Sequence, residues 1–179
     1  MKRNNLAYQI FARYVILLLL GLGNLIVFYK IFTPLTIYPT SYLLSLFYDI
    51  NLVGVSLIIG NYTIEIVEAC IAPAAYYLLL IFNLSTPMNT KRRFFSILFS
   101  FVALLVLNII RISALSAMFV SGNSAFDLTH KALWYGLSTV FVIGIWFLTV
   151  YVYKIKEIPF YSDYLFFKKL IQRPTSHRR

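Results

Sequence analysis

Little in this chain invites soluble or metal-based chemistry. Its 179 residues contain one cysteine, Cys70, so an internal disulfide and a cysteine-based metal cluster are both excluded. Two histidines argue against a zinc site, and no cofactor is expected. Charged residues are only 12% of the chain, with six acids against sixteen lysines and arginines. A soluble domain of this size needs more polar surface than that. There is no internal repeat, low-complexity segment or long linker, which favours one domain over residues 1–179.

What the sequence does have is apolar material: 60% hydrophobic and 18% aromatic residues. The net charge of +10 could suggest nucleic acid, but the basic residues cluster beside apolar runs. That pattern belongs to a membrane protein oriented by positive charge on the inner side, and no nucleic-acid partner is expected. Four stretches suit a membrane helix of about 20 residues: about 14–32, 70–86, 94–120 and 130–153. The first lacks a small-x-small cleavage site and reads as a retained anchor. The expected fold is an all-α, four-span helix bundle in the cell membrane, with both termini cytoplasmic.

Residues 41–69 then form an outer cap, and 154–179 a basic cytoplasmic tail. "SYLLSLFY" (41–48) reads as a short interfacial helix, and "LVGVSLII" with "YTIEIV" as a β-hairpin turning at Gly60-Asn61. A hydropathy window over 41–60 also allows a fifth span. Charge favours four: Lys2, Arg3, Lys91, Arg92, Arg93, Lys154, Lys156, Lys168, Lys169, Arg173, Arg178 and Arg179 then share one side. Asp49, Glu65, Glu68 and Asp127 fall on the other.

Ionisable residues at the ends of apolar runs are the candidates for function, because burying them is costly. Arg111 lies 18 residues beyond Arg93, about 27 Å along a helix and so near the outer interface. Asn108 is on the same helix face. His130 opens the last apolar run and Cys70 opens the second. A thiolate nucleophile, an imidazole proton carrier and a guanidinium for the oxyanion together suit acyl transfer. Each also has a plainer reading: Cys70 as packing, Arg111 reaching toward headgroups, His130 as an interfacial residue, and Glu65 and Glu68 as solvated strand residues. Glu68, two residues before the thiol, is a supporting candidate with Asn108.

The order "EAC", then "NIIRI", then "HKALWYG" resembles the archaeosortase/exosortase family over roughly residues 40–165. The resemblance implies a membrane cysteine protease or transpeptidase with Cys70 as nucleophile, Arg111 as essential arginine and His130 as third catalytic residue. It implies that the substrates are exported surface proteins ending in a short motif, a transmembrane segment and a basic cluster. Cleavage through a thioacyl intermediate at the outer face would pass the new carboxyl end to an acceptor, in some cases a membrane lipid. Many relatives follow the cysteine with Ser-Gly; here Ile71-Ala72-Pro73 follows, and proline is tolerated in the first turn of a helix. A non-enzymatic membrane protein, such as a transporter subunit or assembly factor, is the alternative, with Arg111 and Asn108 as packing groups.

Overall fold

The longest apolar run becomes the longest element. In the computed structural model, which describes residues 3–23 and 25–171, helix α5 spans Thr90–Val120 without interruption. Before it come α1 (Arg3–Leu22), α2 (Ile26–Ser45), strands β1 (Ile50–Val53), β2 (Ser56–Ile59) and β3 (Tyr62–Glu65), then α3 (Glu68–Ile71) and α4 (Pro73–Leu84). After it come α6 (Phe126–Ala132), a π-helical turn (Leu133–Leu137), α7 (Ser138–Val152) and α8 (Tyr161–Ile171). Lys2, Arg173, Arg178 and Arg179 of the expected inner-side charge lie outside the described residues.

The four-span bundle is not what forms. Among the described residues only α5 is a single helix long and apolar enough to cross a membrane. The expected 14–32 span is cut between Leu22 and Ile26, where Leu25 takes a left-handed φ of 58°. The helices on either side, which together would be long and apolar enough, are bent by 72°. The 70–86 span is cut at Ala72, also left-handed, so α4 has 12 residues and rises about 18 Å against a hydrocarbon core of about 30 Å. The 130–153 span is divided by the π-helical turn, leaving α7 with 15 residues.

The cap also differs from expectation. The interfacial helix is the C-terminal end of α2, which runs through Pro34 and Pro39. The hairpin at Gly60-Asn61 is present, pairing Ile59 with Tyr62, but Gly54 adds a second turn, giving a three-stranded antiparallel sheet in the order β1-β2-β3. Gly54 and Gly60 sit at φ of 63° and 56°, a region open to glycine at little cost.

α5 buries a mostly polar face, with Leu104 and Ile112 among its serines, and turns an apolar stripe outward. Ser96, Ser100, Asn108, Ser113 and Ser116 are buried, whereas Phe94, Leu98, Val102, Val106 and Ile110 form an exposed stripe at four-residue spacing. Inside, Ser96 Oγ donates to Asn83 Oδ1, Asn83 Nδ2 donates to Ser100 Oγ at 3.4 Å, and Ser100 and Thr149 hydroxyls meet at 3.0 Å. This polar seam ties α4, α5 and α7 together. Next to it, Phe32 stacks on Tyr76 at 3.6 Å and both meet Phe101 edge-on.

At the end of the molecule carrying Lys91-Arg92-Arg93, Arg13 Nη2 donates to Asp163 Oδ1 at 3.1 Å and Nη1 to the Leu84 carbonyl at 2.9 Å. This buried pair and the Phe160 N–H to Ser85 carbonyl bond (3.2 Å) dock α8 against α1 and α4. Part of the segment expected as a basic tail is thus folded back onto the helices.

Candidate functional site

The site is built where the sheet hands the chain to the helices. Beyond β3 the ladder continues for one bond, Ile66 N–H to the Val55 carbonyl at 3.0 Å. The chain then turns into α3, whose Cys70 N–H donates to the Val67 carbonyl at 2.8 Å. Ala72, at φ 58° and ψ 49°, stops α3 one residue past Ile71, and Pro73 starts α4. The break leaves the Cys70 carbonyl at the end of a one-turn helix, where orphan acceptors need outside donors.

α5 supplies those donors. Asn108 Nδ2 donates to the Cys70 carbonyl at 2.7 Å, and Arg111 Nη2 donates to the same oxygen at 3.4 Å. Arg111 Nη1 donates to Ser138 Oγ at 3.0 Å, and that hydroxyl donates onward to the Leu133 carbonyl at 2.5 Å. Leu133 opens the π-helical turn, a geometry that frees backbone acceptors and often marks functional positions. Arg111 therefore joins three elements: α3 through Cys70, its own α5, and the start of α7 through Ser138. Two of a guanidinium's five N–H groups are used in this way, and the buried Nε–H has no hydrogen-bond partner among the described residues.

His130, on α6, is exposed and held by rings. It stacks on Phe126 with centroids 5.5 Å apart and planes 6° apart, and meets the Trp134 ring at 6.1 Å. Phe126 in turn touches Phe119, which meets Tyr62 of β3 edge-on at 5.5 Å. This aromatic chain closes one side of a cavity of about 210 Å³ lined by Cys70, Arg111, His130, Glu65, Phe119 and Trp134, among others. The cavity is largely apolar, with Ile112, Leu115 and Leu133 in its wall.

Three of the residues expected from the sequence thus face one cavity: Cys70, Arg111 and His130. Asn108 is buried behind Cys70 and acts on its carbonyl. Glu68 is exposed on α3 and does not line the cavity; Glu65 does. No hydrogen bond joins the Cys70 thiol to the His130 ring among the described residues. Ser138 was not expected. Its signal, the Ser138-Thr139 pair of hydroxyls inside an apolar run, is weaker than the charge that singles out Arg111.

The half-buried thiol has its pKa pushed above the ordinary cysteine value by desolvation, an effect that the Arg111 charge and the Val67 hydrogen bond oppose. At rest the group is a thiol, and it needs a proton acceptor when it attacks. A thiol, an imidazole and a guanidinium are the kinds of group that acyl transfer through a thioester uses. No protein-family model, curated protein or solved structure matches the chain.

Proposed function

We propose that this chain is a membrane cysteine peptidase or transpeptidase of the archaeosortase/exosortase type, acting on the C-terminal sorting signal of exported proteins. The observation that carries the reading is that Cys70, Arg111 and His130, from three different elements, line one cavity. In the reaction, the Cys70 proton passes to His130 as sulfur bonds to the substrate carbonyl carbon. Arg111 N–H groups stabilise the oxyanion. The C–N bond breaks, and the amine leaves with the proton from His130. An acceptor amine or hydroxyl, such as that of a lipid headgroup, then attacks the thioester; the C–S bond breaks and the proton returns to the thiolate.

Membrane location is supported by α5. A helix with serines and an asparagine inside and phenylalanine, leucine, valine and isoleucine outside is arranged for lipid rather than water. The Lys91-Arg92-Arg93 end belongs on the cytoplasmic side. Arg111, 18 residues on, then lies near the outer surface, where exported proteins are met.

The test is Cys70→Ala in cells together with mass analysis of the purified protein. The variant folds and accumulates uncleaved substrate, while the parent carries a hydroxylamine-labile acyl adduct on Cys70. Normal processing by Cys70→Ala overturns the assignment. The rival, a non-enzymatic membrane protein, is favoured by one observation: Arg111 and Asn108 already bond protein acceptors. It expects no adduct on Cys70 and no substrate accumulation.

A further inference from the structure

The sheet has an unpaired edge, and that edge borders the candidate site. β2 is central, so β3 pairs on one side only. In an antiparallel ladder, alternate residues point their N–H and C=O groups at the same neighbour. Ile66 donates to Val55 on the β2 side, so Ile64 and Tyr62 face β2 as well. Thr63 and Glu65 therefore direct their backbone groups outward. No strand, helix or side chain among the described residues takes them up.

The cavity runs along this edge. Thr63, Ile64, Glu65 and Ile66 all line it. A cavity against one face of a strand would be lined by every second residue, since side chains alternate between faces. Four in succession place the opening alongside the edge itself. The same cavity reaches Cys70, five residues past Glu65 in the sequence. An exposed strand edge is a template for another strand, and here it ends at a thiol.

We infer that the substrate peptide binds by adding a fourth strand to the outer edge of β3, pairing with the Thr63 and Glu65 backbone and delivering its carbonyl to Cys70. This rests on the nucleophile reading above. The occupant is an extended polypeptide, and the paired residues are those preceding the attacked carbonyl. That portion stays bonded to sulfur after the amine leaves, so holding it keeps the thioester in place for the acceptor. With β3 running toward Cys70, the added strand is parallel to β3. Every second side chain of the peptide enters the apolar wall formed by Leu115, Phe119 and Trp134. Main-chain pairing supplies affinity and this wall supplies selectivity.

The probe is acetyl-Val-Val-Val chloromethyl ketone on the full-length protein. The Cys70 thiolate forms a C–S bond at the chloromethyl carbon as the C–Cl bond breaks and chloride leaves. Its labelling rate is compared with that of iodoacetamide, which needs no strand. Thr63→Pro removes one outward N–H and leaves the β2 ladder intact, as edge proline allows. The ratio of the two rates falls about tenfold or more, while Thr63→Val keeps the parent ratio. On the unaltered protein, N-methylation of one of two neighbouring probe amides causes the same loss and methylation of the other does not. A ratio indifferent to Thr63→Pro and to both methylations overturns strand addition, even if an acyl adduct on Cys70 upholds the nucleophile. Normal processing by Cys70→Ala overturns the nucleophile independently of the labelling ratio.

Discussion

The side-chain amide of Asn108 is fixed to the backbone carbonyl of Cys70 at 2.7 Å, so the helix behind the thiol sets the conformation of the turn that carries it. The bond exists because left-handed Ala72 ends α3 there. Asn108→Ala leaves the carbonyl with only the 3.4 Å bond from Arg111, and Asn108→Asp sets an acceptor against an acceptor. Stability falls by about 1–3 kcal/mol for alanine and by more for aspartate. A thermal melt in detergent checks the order of the two, and substrate processing falls with it.

Ser138 holds Arg111 from the other side. Ser138→Ala removes that acceptor and also the donor to Leu133. A loss of about tenfold in processing rate with little change in melting temperature is the outcome for a residue that positions the guanidinium. Arg111→Lys loses more, because an ammonium cannot reproduce the fork that reaches both Ser138 and Cys70. Single-turnover acylation of Cys70 ranks the three proteins.

Burial pushes the Cys70 thiol upward in pKa and the Arg111 charge pulls it down. Burial disfavours the thiolate, so the pH at which half the thiol ionises lies above that of a free cysteine. The rate of iodoacetamide labelling therefore keeps rising with pH beyond the free-cysteine midpoint. Arg111→Gln removes the opposing charge and moves the midpoint further up. A pH–rate profile of labelling, followed by mass spectrometry, reads both; a midpoint below that of free cysteine contradicts the burial account.

The Arg13–Asp163 pair at the far end is nearly excluded from solvent. Asp163→Asn leaves Arg13 buried beside a neutral amide, at a cost of about 3–5 kcal/mol. The double variant Arg13→Met with Asp163→Leu costs less, since both charges leave together, and the Leu84 carbonyl and the Tyr14 hydroxyl lose partners. Limited proteolysis after Lys154 or Lys156 reports release of α8, which the single variant speeds more than the double variant does.

Local pattern and composition carried part of this structure. The unbroken apolar run of 94–120 and its basic start made α5 legible, and Gly60-Asn61 marked its hairpin. Cys70, Arg111 and His130 were legible as chemically unusual residues at the ends of apolar runs. The breaks that turned expected spans into short helices were not. Hydropathy does not register a single left-handed residue such as Leu25 or Ala72. Gly54 was hidden inside "LVGVSLII", which reads as one strand and is two. Docking of α8 depends on Arg13 and Asp163, 150 residues apart, beyond the reach of any local window.

Under the proposed membrane placement, the outward stripe of α5 works as a depth gauge. From Phe94 to Ile110 it rises about 24 Å, a little less than the hydrocarbon thickness of a bilayer. Arg111 follows at once, so the length of one helix fixes how far from the surface the thiol sits. Four residues inserted before Val106 would shift Arg111 by about 6 Å along the helix axis and rotate it by about 40°. In the proposed reading, reach toward both the aqueous peptide and the headgroup layer is therefore set by a residue count in α5, not by the cap.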